Sequence, residues 1–224
     1  MTKKDNLFSG FSPETVDFLW GIRMNNNREW FTEHKRQYVT TLYEPMRALG
    51  AHICGLFEDR PGDLVKVSRI YRDARLHHPL PYKESLWICV RKDVQWWGDN
   101  PCLFFEINPE GIDYGFFFWK PRPAAMKAFR KNIADRPDQF LDLIRKTEKD
   151  AGRQIGAKTY ARPEKCDDSR LERFFLWKDM LDCTRHEDFS EDVFSPELAR
   201  RVTDYFEKLL PLYEYFSALA GAQA

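Results

Sequence analysis

The apolar residues of this 224-residue chain change their spacing twice. Up to Phe57 they recur every third or fourth position, from Leu64 to Trp119 every second, and from Ala124 onward mostly every third or fourth again. The first spacing puts apolar side chains on one face of a helix, the second on one face of a strand. Helices, then strands gathered together, then helices predict an α+β fold: a mostly antiparallel sheet covered by N-terminal and C-terminal helices. No linker-like composition interrupts the pattern, so residues 1–224 are expected to form a single domain.

The helical stretches carry their own punctuation. Ser12 and Pro13 open the first, with Val16, Leu19, Trp20 and Arg23 on one face, and the asparagines at 25–27 end it. Asn27 then caps a second helix through Trp30, His34, Tyr38 and Leu42. Pro45 should kink or restart that helix ahead of Met46, Leu49, Ile53 and Phe57. Two more are expected over "PAAMKAFRKNIADR" and "PDQFLDLIRKTEKDAG". "RLERFFLWKD" reads as a helix packing Leu171, Phe174, Phe175 and Trp177, and "MLDCTRHEDF" as a short edge strand. A final helix begins at Ser195–Glu197, turns Leu198, Val202, Tyr205, Leu209, Leu212 and Phe216 inward and bends at Pro211.

In "LVKVSRI", Val65 and Val67 share one face of a strand. Carried on, the alternation would bury Arg69, Tyr71 and Asp73, which is costly for charge. Either a bulge near Ser68 resets the phase or Arg69 enters a polar interior site. "SLWICVRKD", "CLFFEIN" and "IDYGFFFW" are three further strands, the last two joined through "NPEG". "GFFFW" is apolar on both faces and belongs in the middle of a sheet, its aromatics read as core rather than as a base-stacking platform.

With 43% hydrophobic and 31% charged residues the chain can pack an interior and cover it, as a soluble protein does. It offers neither a signal-peptide run nor about 18 uninterrupted apolar residues for a membrane span, so a cytoplasmic protein without membrane association is expected. Cys54, Cys89, Cys102, Cys166 and Cys183 are odd in number and never paired as Cys-x-x-Cys, which suits reduced, mostly buried thiols. Formal charge is zero but uneven: Arg60–Lys92 has eight basic and three acidic residues, and Lys120–Arg136 six and one. Glu164–Asp192 reverses this with ten acidic against five basic. The two basic segments would favour anionic ligands unless the acidic segment neutralises them across the fold.

Chemistry is densest in "RIYRDARLHHPLPYKES", residues 69–85. The guanidinium groups of Arg69, Arg72 and Arg75 are planar donor forks suited to carboxylate or phosphate. Asp73 among them would be held ionised and so orients partners better than it shuttles protons. His77 and His78 are the acid or base candidates, because their ordinary pKa lies near neutrality. Tyr82 and Lys83 add a hydroxyl and a compact charge. No glycine-rich phosphate loop, nucleophile elbow, zinc-protease motif or dinucleotide fingerprint occurs, so no cofactor is implied, and neither His77-His78 nor Cys183-x-x-His186 makes a metal site by itself. Balanced charge and strand-phased aromatics argue against nucleic acid as a partner.

"NNREWF" at 26–31, Tyr38, Pro45, "RIYRDAR" and "PYK" together resemble the bacterial and fungal family catalogued as domain of unknown function 2461. The resemblance implies one α+β domain and imports no activity. Relatives usually have a phenylalanine after the last arginine and an Asp-Lys or Asn-Lys pair before Pro-Tyr-Lys; here Leu76 and "HHPL" stand instead.

Three readings follow. The segment grips a small anionic ligand, phosphorylated or carboxylated, through Arg69, Arg72, Arg75 and Lys83 with Asp73 and Tyr82 setting the geometry. Alternatively a hydrolase or transferase uses a histidine in the same cleft, or the arginines form a structural ion-pair network in a non-catalytic scaffold.

Overall fold

The computed structural model describes residues 7–60, 62–73, 75–76, 79–94, 97–162 and 165–221. In chain order its elements are α1 (Pro13–Met24), α2 (Arg28–Gln37), a π-helical turn (Tyr38–Tyr43), α3 (Glu44–Gly55), β1 (Asp63–Val67), β2 (Leu86–Lys92), β3 (Cys102–Asn108) and β4 (Gly111–Phe118). There follow α4 (Pro123–Asp135), α5 (Pro137–Ala151), β5 (Gly156–Thr159), α6 (Glu172–Phe175), β6 (Trp177–Asp188) and α7 (Glu197–Gly221). Among the described residues the strands form one antiparallel sheet in the order β1-β2-β3-β4-β6-β5, which makes the protein α+β and puts the doubly apolar β4 inside the sheet. The chain falls into two compact units, one of Met1–Val90, Phe104–Tyr114 and His186–Asp204, the other of Arg91–Leu103, Gly115–Arg185 and Tyr205–Ala224.

In the first unit, Asn27 caps α2 by accepting from Trp30 N at 2.9 Å. The buried face of α1 is Thr15, Phe18, Leu19 and Ile22, with Trp20 exposed, so the expected Val16-Trp20 face is displaced by about one position. Thr15 is there because of Pro45. A proline has no N–H for the carbonyl four residues earlier, here that of Thr41. The π-helical turn carries the chain past that gap into α3, and the Thr15 hydroxyl donates to the Thr41 carbonyl at 2.6 Å. Met46, Leu49, Ile53 and Phe57 then bury the inner face of α3, as their spacing predicts. Gly50 allows the helix close to β1: a Cβ there would lie 2.9 Å from Val67 Cγ2.

In the second unit, Phe129 of α4 meets Phe140 of α5 at 5.3 Å, Trp177 at 5.9 Å and Phe216 of α7 at 5.3 Å between ring centroids. Gly152 ends α5 in the left-handed conformation (φ 70°), where a glycine carries no Cβ penalty. The inward residues predicted for α7 are all buried, and Pro211 sits within one continuous helix. The expected helix over "RLERFFLWKD" shrinks to α6, because Trp177 opens a strand. That strand, β6, is 12 residues long and lies between β4 and β5 rather than at an edge. Its charged residues disguise the alternation of buried Leu181 and Cys183. The edge is β5, whose "GAKT" is too short and too polar to signal a strand. Among the described residues no helix is long and apolar enough to cross a membrane.

Candidate functional site

The segment from Ser68 to Ser85 belongs to the first unit. Burial changes phase at Ser68, which is buried, so that Arg69 is exposed, Ile70 buried and Tyr71 exposed. Ser68 N–H donates to the Trp87 carbonyl at 2.8 Å and Trp87 N–H to the Ser68 hydroxyl at 3.0 Å, so the serine satisfies the ladder where the phase resets. Arg69 therefore stays out of the interior.

Beyond it the chain doubles back. Arg72 N–H donates to the Pro81 carbonyl (2.9 Å), Lys83 N–H to the Ile70 carbonyl (2.7 Å), and Tyr71 and Tyr82 form an antiparallel bridge. The Phe31 ring stacks on Tyr82 with centroids 4.2 Å apart and meets Tyr71 edge-on. Asn26, from the turn between α1 and α2, binds both backbone groups of Tyr82, each at 3.0 Å. The "NNREWF" and "PYK" segments are thus one structural unit.

The structure sorts the predicted ligand residues into groups. Tyr82 is buried as a packing ring, and burial pushes its hydroxyl pKa up. Asp73 and Arg75 close on each other: Asp73 Oδ1 accepts from Arg75 N and Nε at 3.0 Å and Oδ2 from Nη2 at 2.7 Å, with the Arg75 side chain 87% exposed. Arg72 and Lys83 are half-buried, and Arg72 Nη2 lies 3.6 Å from Glu84 Oε1. The Lys83 ammonium stands 5.3 Å from the Trp87 ring centre. Burial lowers its pKa, and Arg69 and Arg72 lower it further by their charge, with Glu106 opposing and Lys66 adding a little. Lys83 thus lies within reach of the charges of Arg69 and Arg72. His77 and His78 lie outside the described residues.

An acidic side borders these cations. The Ser85 hydroxyl donates to Glu106 on β3, whose carboxyl pKa is raised by burial and by Asp113, against the Ser85 hydrogen bond and the Lys83 charge. Asp113 Oδ2 accepts from Asn108 Nδ2 at 2.9 Å, and Asp113 Oδ1 lies 2.9 Å from His186 Nδ1. That bond raises the His186 pKa, against the opposing effect of burial. Sequence reasoning passed over Glu106, Asp113 and His186 as a group. The available signal was Glu106 itself, a carboxylate within the apolar "CLFFEIN" on the strand's less buried side. Cys183, at Cys-x-x-His spacing from His186, is buried with its sulfur 3.9 Å from the Tyr205 hydroxyl. Cys89 and Cys102 are buried too, Cys166 is half-buried and Cys54 exposed.

A family model described as a conserved hypothetical protein, DUF2461, matches residues 14–215. The chain belongs to the DUF2461 family. The match begins inside α1 and ends inside α7, so it takes in the whole sheet and the entire Arg69-to-Ser85 segment of this DUF2461 chain. No curated protein matches it. Chemically, Lys83 in this DUF2461 chain stands in the charge of Arg69 and Arg72 and of Glu106, whose carboxyl burial keeps easier to protonate than usual, while Glu84 lies beside Arg72.

Proposed function

We propose that this protein binds a small anionic ligand, phosphorylated or carboxylated, at Arg69, Arg72 and Lys83. The placement of Lys83 carries the reading: its ammonium is half-buried 5.3 Å from the Trp87 ring and under the charge of Arg69 and Arg72, a cost that a bound anion would offset. Glu106, whose pKa burial raises, borders the same residues and adds less repulsion to an anion than a fully exposed carboxylate would. Asp73 and Arg75 act as a brace for the loop, since each satisfies the other. Tyr82 serves by packing.

A second reading is supported by the Arg72 geometry. Glu84 joins Arg72 to Arg23 (Nε to Oε2, 2.8 Å), and Arg23 also pairs with Glu110, which makes a chain of alternating charges able to act as a scaffold. A thermal-shift screen against phosphorylated and carboxylated metabolites, run on the native chain and on Arg72→Ala, separates the two. The ligand reading expects at least one anion to raise the melting temperature of the native chain and to do so much less in the variant. A variant that melts far lower while every ligand response stays unchanged favours the scaffold.

A further inference from the structure

The second basic segment found in the sequence, Lys120–Arg136, lies in the second unit. Most of it forms α4, and Lys127, Arg130, Lys131 and Ala134 on one face of that helix line a cavity of about 510 Å3. That volume suits a small organic molecule. Arg130 is only 6% exposed and is fixed by the carbonyls of Met126 (3.3 Å), Phe175 (3.3 Å) and Trp177 (2.8 Å). Lys127 and Lys131 are exposed one helical turn apart, and among the described residues neither has a carboxylate within ion-pair distance. Like charges at that spacing destabilise a helix, a cost that a bound anion removes.

The opposite wall does not cancel this charge. Asp168 is engaged by Arg170, at 2.7 Å from Nη2 and 3.0 Å from the backbone N, and Asp167 lies 3.5 Å from Lys165. Leu171 and Phe175, both buried, give the cavity an apolar side. We propose that this cavity binds an organic phosphate, its phosphoryl group between Lys127 and Lys131 and its apolar body against Leu171 and Phe175. Two ammonium groups beside a guanidinium match a dianion better than a single carboxylate.

Phenyl phosphate titrated into the full chain by calorimetry is the test, with phenol and inorganic phosphate as comparison arms. Phenyl phosphate should bind more tightly than inorganic phosphate, and phenol should not bind. In the Lys127→Gln/Lys131→Gln variant the affinity should fall about tenfold or more, as expected for losing charge-assisted contacts. A Lys146→Gln/Lys149→Gln variant, which neutralises two exposed lysines of α5 that do not line the cavity, should bind phenyl phosphate as the native chain does. Absence of binding, an affinity unchanged by the Lys127→Gln/Lys131→Gln substitutions, equal affinity for inorganic phosphate, or a loss in the Lys146→Gln/Lys149→Gln variant as large as in the Lys127→Gln/Lys131→Gln variant would each overturn the proposal. Both lysines are exposed, so circular dichroism of the variant should match the native spectrum.

Discussion

Asn26 holds Tyr82 by both of its backbone groups, the side-chain Nδ2 donating to the Tyr82 carbonyl and Oδ1 accepting from the Tyr82 N–H, each at 3.0 Å. A residue of the turn between α1 and α2 thus does what a neighbouring strand would do, and it positions Lys83 one residue later. Asn26→Ala removes both bonds and leaves two partly buried backbone groups without those partners. Denaturant unfolding should record a loss of about 1–3 kcal/mol. An unchanged midpoint would mean that water replaces the asparagine at no cost.

The Thr15 hydroxyl and the Thr41 carbonyl make a second such case, created by Pro45. Thr15→Val keeps the side-chain volume but strands the carbonyl, so stability should fall by about 1–3 kcal/mol in equilibrium unfolding. Pro45→Ala in the same background restores an N–H that could reach Thr41, and part of the loss should return. Simple additivity of the two substitutions would contradict this coupling.

Much of this was readable from spacing alone, and the failures have physical causes. Prolines and N-caps marked α1 to α5 because they act locally, and the alternation in β2, β3 and β4 survived because one face of each is strongly apolar. β6 reads as a strand too short and at an edge because charged residues occupy most of its half-exposed positions, and β5 gives no signal because four residues carry no period. Within the site, the arginines could be seen but not their division of labour. Whether Arg75 reaches outward or folds back on Asp73 depends on a turn, and Glu106 and His186 meet the site only through strand pairing.

Glu106 makes a pH prediction. Its folded pKa is raised above the ordinary value of 4.5, chiefly by burial, so the folded state binds the proton more tightly than the unfolded state. The resulting stability is fully present below pH 4.5 and is lost as pH rises through the raised folded value. Glu106→Gln should therefore remove part of the decline in stability over that window, measured by urea unfolding at a series of pH values. A native and variant pair with parallel pH profiles would show that Glu106 is not buried as described.

His186 titrates in the opposite chemical sense but with the same sign. Its pKa is raised above 6.5, first by the hydrogen bond to Asp113 and then by the charges of Asp113 and Asp188, against burial. It therefore stabilises the fold below pH 6.5 and loses that contribution as pH rises through its folded value. In an NMR titration, Asp113→Asn should move the His186 midpoint down toward the ordinary value. A midpoint that stays put would place the charge of Asp113 out of its reach.

The most direct test of the anion-binding account is Lys83 itself. Its folded pKa is depressed, so its stability contribution is present above pH 10.5 and lost as pH falls through the folded value, which leaves a charged Lys83 unfavourable to the fold in acid. Lys83→Gln should keep or raise the melting temperature at low pH while weakening the thermal shift produced by the phosphorylated or carboxylated ligand found in the screen. The Lys146→Gln/Lys149→Gln variant, outside both proposed sites, serves as the control in which that shift persists. A Lys83→Gln variant that is no less stable and still shows the full native ligand shift would contradict the account.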